Sequence, residues 1–320
     1  MTAATPTSAR SSSDGSGALR SLLNELETSA GALAALAAAF HARAAGLPLA
    51  PSVGAAVDGV LATLGVQEAI ARLPLGELRS LLAEIRVFEG SHRRLVGSEP
   101  AEPGWAPPSR ELLQAAGEVS AGLPRVIRHV IAPRLPGLAE SLDTPGARFL
   151  DVGTGVGALA IEMARAWPEL AVVGIEPWAP AFELALSNVQ AARLEGRVEL
   201  RPLRGEDLAD EGRYDLGWIP SLFIAEAALP SVIACVRRAL RSGAWLLMPV
   251  LRADPSSLAG SVVRLRSALW GGTAITTGDA AARLAEAGFV DLQSFSSSPN
   301  GTTGLLAARP APVVRGLRIP

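Results

Sequence analysis

Apolar positions change their period once along this chain. Leu19, Leu22, Leu23 and Leu26 recur at i, i+3, i+4 and i+7, which predicts an amphipathic helix. An alanine-rich continuation through Phe40 and Ala44 extends it to the stop Gly46-Leu47-Pro48. Val53, Val57, Val60, Leu61 and Leu64 line a second helix closed by Gly65, and Leu78, Leu81, Leu82, Ile85 and Phe88 a third, ending near Gly90. Residues 97–108, with prolines at 100, 103, 107 and 108, read as a linker or surface loop. Helices resume at 109–121, with Ser109 as candidate N-cap, at 124–132 and at 135–142. Residues 17–143 therefore read as an all-helical N-terminal or lid domain, since each stripe needs a partner surface. Residues 1–16 show no apolar period and are expected to be a disordered tail.

Beyond residue 143 short β-prone runs alternate with helical patterns. Strands are expected at 147–151, 171–176, 198–203, 214–219 and 245–251. Helices are expected up to 167, then at 179–194, 226–240, 255–270 and 278–287, the last stopped by Gly288. Strands at 291–296 and 304–309 flank Pro299-Asn300-Gly301, a hairpin signal. The expectation is an α/β domain over 144–310 and a tail over 311–320: a Rossmann-like sheet of seven mostly parallel strands that closes in an antiparallel hairpin.

The candidate chemistry sits at the first βαβ unit, Arg148-Phe149-Leu150-Asp151-Val152-Gly153-Thr154-Gly155-Val156-Gly157 followed by a helix and Ala171-Val172-Val173-Gly174-Ile175-Glu176-Pro177-Trp178. Near Gly153 the chain must turn sharply out of a strand, where φ > 0 is least costly without a Cβ. At Gly155 and Gly157 a side chain would block close approach of a ligand or of the helix. Glu176 follows Gly157 by 19 positions (176 − 157), at the expected end of the second strand, where a carboxylate can accept ribose hydroxyls. The spacing is Asp-x-Gly-x-Gly-x-Gly, with Ala158 where a dinucleotide fingerprint would place its last glycine. Asp151 would repel a pyrophosphate and attract an ammonium or sulfonium ligand.

This run resembles motif I of the class I S-adenosylmethionine-dependent methyltransferases, and the order of elements from 147 to 309 is similar to that family's sheet. The resemblance implies S-adenosylmethionine as cofactor. By it, Asp151, Gly153, Thr154, Gly155 and Gly157 face the methionine part and Glu176 the ribose. The family's adenine-binding acid falls at Glu206 or Asp207, two candidates the sequence leaves open. Pro177 and Trp178 beside Glu176, the indole being able to lie along the adenine, and Trp218 at the end of the fourth strand complete the expected contacts.

The exit Trp218-Ile219-Pro220-Ser221-Leu222-Phe223 is the acceptor side by the same resemblance. It lacks the Asn-Pro-Pro-Tyr of enzymes that methylate base amines or glutamine side chains, and it lacks the acid that catechol-type enzymes use for Mg²⁺. No His follows residue 129, so the base of plant-type O-methyltransferases is absent. His41, His92 and His129 remain as candidate general bases, His129 standing nearest the catalytic domain in sequence. None is spaced as a metal site. The expectation is methyl transfer to a small, mostly apolar acceptor, at oxygen rather than nitrogen or carbon. The competing readings are a nicotinamide-dependent oxidoreductase and a non-catalytic binder that keeps the fold.

Composition narrows this further. The 320 residues include 29 basic and 31 acidic side chains, and every basic one is Arg. Without Lys there is no Schiff-base, P-loop or general-base lysine. A formal net charge of −2 gives no basic patch for nucleic acid or anionic membrane. Cys235, the single cysteine, lies in an apolar helical run and reads as a small buried hydrophobe. The longest apolar run, residues 30–40, is too short to span a bilayer, which needs about 20 residues. The expected setting is cytoplasmic, and the apolar stripes of the first 95 residues suggest a homodimer.

Overall fold

The structure, a computed structural model, describes residues 12–93, 95–96, 104, 109–296 and 301–312. The expected linker at 97–108, apart from Gly104, and the hairpin residues 297–300 lie outside the described residues, as do most of the two expected tails. Of the N-terminal tail, residues 12–16 already belong to a helix, a departure from the expected disorder: helical geometry propagates backward from the leucine stripe without needing an apolar period of its own.

The first helices are α1 (Ser12–Ala45), α2 (Pro51–Leu64), α3 (Gln67–Arg72) and α4 (Leu75–Arg93). Pro51 opens α2 and Gly65, in the left-handed region at φ 68°, closes it. Phe40, Val57, Leu61, Ile70, Leu78, Leu82 and Ile85 form their core. Arg43 secures the end of α3 by donating to the carbonyls of Ile70 and Leu73.

The chain divides into two compact units within α4, at Arg86/Val87, and not at residue 143. The cause is the apolar stripes of α5 (Arg110–Ser120), α6 (Leu123–Val126) and α7 (Leu138–Leu142). They find their partner surface on the α/β part: Ile127, Ile131, Leu138 and Leu142 share a core with Phe149, Leu159 and Met163. Ser109 caps α5 as expected, its Oγ accepting from Leu112 N at 3.2 Å, an arrangement worth about 1 kcal/mol. The single helix expected over 124–132 is instead α6, a π-helical turn (Ile127–Ile131) and a 3₁₀ turn (Ala132–Arg134). Pro133 has no N–H to continue an α ladder there.

The α/β part follows: β1 (Arg148–Val152), α8 (Ala158–Ala166), β2 (Ala171–Ile175), α9 (Ala179–Ala191), β3 (Val198–Arg201), β4 (Tyr214–Trp218), α10 (Leu229–Ala239), β5 (Leu240–Leu251), α11 (Leu258–Leu269), α12 (Thr277–Glu286), β6 (Phe289–Phe295) and β7 (Thr303–Pro310). They build one sheet of order β3-β2-β1-β4-β5-β7-β6. The first five strands are parallel, and β7 runs antiparallel between β5 and β6. The sheet is covered on both faces. Phe149, Val172 and Leu216 point to the core shared with α8, and Leu150, Val173 and Leu246 to the core shared with α10 and α12. Near-continuous apolar strands are what such double burial requires. β5 begins five residues earlier than expected, because Leu240 already pairs with Tyr214 ahead of a bulge at Gly243, φ 83°. Among the described residues, no helix is long and apolar enough to cross a membrane.

Candidate active site

Strand order reverses at β1, between β2 and β4, so the crevice at the carboxyl ends of these strands is the expected ligand position. Asp151 and Glu176 both stand at that edge. Trp218, the last residue of β4, is the register partner of Asp151.

The turn after β1 runs through three left-handed glycines, Gly153 (φ 62°), Gly155 (φ 58°) and Gly157 (φ 78°). Its backbone is tied at each step. Thr154 N donates to Ile175 O at 3.0 Å, Gly155 N to Glu176 Oε2 at 2.9 Å, and Gly157 N to Thr154 O at 2.9 Å. A Cβ at Gly155 would meet nothing within 4 Å, so this part of the turn borders open space. At Gly157 the nearest neighbour is Ala185 of α9, so the close packing served there is helix against helix.

Asp151 is 1% exposed, and its Oδ2 accepts from the Thr154 hydroxyl at 2.6 Å. Gly174 makes room for that hydroxyl, since a Cβ there would stand 2.9 Å from Thr154 Oγ1. Burial pushes the Asp151 carboxyl up to about 7; the Thr154 bond opposes the shift and the charge of Glu176 adds to it. Glu176 is 7% exposed, and burial raises its carboxyl too, against bonds from Trp178 N and Gly155 N. These bonds, 2.9 Å each, occupy one lone pair on each oxygen. The sequence does not show this: Glu176 closes the turn as well as facing the crevice. Among the described residues, no cation acts on either carboxyl. Two enclosed acids beside an open glycine cradle fit a ligand carrying a positive charge and hydroxyl donors, which is the chemistry of a sulfonium nucleoside.

The remaining candidates spread around this centre. Pro177 is exposed and Trp178 half-buried. The Trp178 indole packs on the cluster of Leu113, Val156 and Leu184. Glu206 and Asp207 lie in a 3₁₀ turn, Glu206 half-buried with Arg204 at 3.6 Å and Asp207 exposed. Cys235 is half-buried and donates from Sγ to Glu206 O at 3.3 Å. His129 is exposed. Its neighbour Arg128 donates to Ala166 O at the end of α8 remote from Gly157, so His129 sits away from the turn. His41 faces Arg86, and His92 Nδ1 lies 2.6 Å from Phe88 O.

Sequence reasoning missed what holds the exit of β4. Ser221 is fully buried and donates to Pro249 O at 2.7 Å. Phe223 stacks on Trp270 with ring centroids 4.4 Å apart, and the Trp270 indole donates to Ser91 Oγ at 3.1 Å. Gly271-Gly272 therefore does more than break a helix: a Cβ at Gly272 would fall 1.9 Å from Leu222 O.

A doubly wound sheet with its glycine turn, buried acids and antiparallel last pair defines a Rossmann-like fold. Residues 149–243 match the methyltransferase domain family. The chain is 32% identical over 143 residues to a ubiquinone biosynthesis O-methyltransferase of Xanthomonas oryzae pv. oryzae, covering 42% of this chain and 56% of that protein. It thus spans little more than half the length of that curated relative. Similar solved structures include human N-acetylserotonin methyltransferase in complex with S-adenosylmethionine (TM-score 0.57, 15% identity, 96% of this chain and 100% of that one). Another is CalO1, a methyltransferase in calicheamicin biosynthesis with S-adenosylhomocysteine bound (TM-score 0.54, 18% identity, 92% and 99%). Residues 149–243 are thus a methyltransferase domain, and the solved structures share the Rossmann-like fold around it.

Proposed function

We propose that this protein transfers a methyl group to oxygen, a hydroxyl or carboxylate, of a small-molecule acceptor in specialised metabolism. The observation that carries the reading is the pair of enclosed carboxyl groups, Asp151 and Glu176, bordering an open glycine turn with no cation among the described residues to balance them. When bound, S-adenosylmethionine supplies a sulfonium-activated methyl carbon for in-line displacement by the acceptor oxygen. Asp151 in its ionised form balances the positive charge, and Thr154 orients it. The lone pairs left on Glu176 accept the ribose hydroxyls, while Glu206, the less exposed of the two loop acids, is the better placed to accept from the adenine amino group. Trp218 closes the crevice beside Asp151.

The acceptor side is apolar, lined from Ile219 and Pro220 to Phe223 and Trp270. His129 stands away from this edge, and His92, which follows Ser91, has its Nδ1 turned to Phe88 O at 2.6 Å. The reading therefore favours an acceptor that ionises on its own, such as a carboxylate or an acidic phenol, with positioning and exclusion of water supplying the rate. The names of the curated relatives, O-methyltransferases among them, support oxygen. Calorimetric titration should show S-adenosylhomocysteine binding and no NADH binding. Labelled methyl from S-adenosylmethionine should then appear on members of a panel of phenols and carboxylates. Binding of NADH alone would overturn the reading, and donor binding without turnover on any acceptor would leave a non-catalytic binder. The exposed stripe Leu19, Leu22, Leu23 and Leu26 supports a homodimer; a pure monomer by light scattering would remove that part.

A further inference from the structure

Helix α5 reaches the glycine turn from outside the family match, and its polar link to it is an amide pair. Asn188 of α9 donates from Nδ2 to Val156 O at 2.8 Å. The same nitrogen donates to Gln114 Oε1 at 3.1 Å, and Asn188 Oδ1 accepts from Gln114 Nε2 at 3.0 Å. The pair is reciprocal, so Gln114 fixes which way the Asn188 amide faces. Reversed, it would set an oxygen against the Val156 carbonyl. Beside the pair, Leu113 packs with Val156 and Leu184. Gly117 lets the helix lie directly on the turn, since a Cβ there would stand 2.3 Å from Val156 Cγ2.

Val156 lies between Gly155 and Gly157, both left-handed. Glycine-flanked peptides have many conformations to lose, and a turn that must order itself on binding loses affinity for that reason. Glu176 holds Gly155 N from one side. The Val156 carbonyl is the other handle, and Asn188 holds it.

We infer that Asn188 is a positioning residue for the cofactor-binding turn, with Gln114 acting through it. The inference rests on the donor-binding reading above and concerns residues that touch the turn from behind. Asn188→Ala should weaken S-adenosylhomocysteine about tenfold by calorimetry, Gln114→Ala about threefold, and the double variant no more than Asn188→Ala alone. In ligand-free protein, amide exchange at residues 155–157 should quicken while protection across α9 is kept. Asn188→Asp, of the same size but without the donor, should behave as Asn188→Ala and guards against a packing defect. Affinity within twofold of the parent in both Asn188 variants overturns the inference. So does loss of protection throughout α5 and α9, which would mean general loosening, and so do additive losses in the double variant. A parent that fails to bind S-adenosylhomocysteine overturns the donor reading itself, and this inference with it.

Discussion

At the amino edge of the sheet, Asp215 accepts from Arg148 N at 2.8 Å and from Arg241 at 3.0 Å. Asp210, just ahead of β4, sits among Arg201, Arg213 and the hydroxyl of Tyr214. Burial works to raise the Asp210 carboxyl, yet the bonds from Tyr214 and Arg201 outweigh it and hold the group below its usual value. At the carboxyl edge, Asp151 and Glu176 are at least as enclosed, but among the described residues hydroxyl and backbone donors are all they have, and both are raised. The same chain, rich in Arg, neutralises buried acids at one edge and leaves them bare at the other. Uncompensated burial of a carboxylate lowers stability. A fold that carries it at one edge only is keeping that edge for a ligand's charge, whereas the paired acids are fastenings.

The largest test of this contrast is Asp151→Asn, which keeps the acceptor for Thr154 and removes the ionisable group. Affinity for S-adenosylmethionine should fall about 100-fold, roughly 2.7 kcal/mol, while the unfolding temperature at pH 8 rises because no charge is buried. Calorimetry reads both, and a lower unfolding temperature would break the contrast. Next, Asp215→Ala should cost about 2 kcal/mol in denaturant unfolding, since Arg148 N and Arg241 lose their acceptor, and leave S-adenosylhomocysteine affinity alone. Third is pH. The folded Asp151 carboxyl titrates near 7 and the unfolded one near 3.8, so the folded state binds more protons between them. Its contribution to ligand-free stability is therefore present at low pH and lost as pH rises through about 7. Binding of the cationic donor should run the other way, tightening about tenfold from pH 6 to pH 8 as the carboxylate forms. Cys235→Ala is the smallest, less than about 1 kcal/mol. It sharpens the contrast by asking whether the Sγ bond to Glu206 O matters to donor affinity at all.

The first βαβ unit was legible because its information is local. Asp151, the glycines and Glu176 carry it in spacing alone, and Gly153, Gly155 and Gly157 all have positive φ. The hairpin placed β6 and β7 for the same reason. The division of the chain was not legible. A stripe such as Leu113 and its neighbours says that a helix needs a partner and not which one, so α5 to α7 read as a separate domain and in fact cover the α/β part. Gly117 reads as a weak point in a helix until Val156 is seen against it. Glu176 reads as a ribose ligand, and its bonds to Gly155 N and Trp178 N depend on how the chain doubles back. His129 drew attention by closeness in sequence and lies at the wrong end of α8.

Residues 303–310 form an interior strand, so a chain emerging from the ribosome cannot finish its sheet until this strand is out. Until then the apolar flank of β5 from Leu246 to Leu251 stays open as an adhesive rim. β7, the last of the sheet's strands to be synthesised, is thus the one that seals the molecule against its neighbours, and a pause in translation between β5 and β7 should expose this protein to clumping more than slow initiation would.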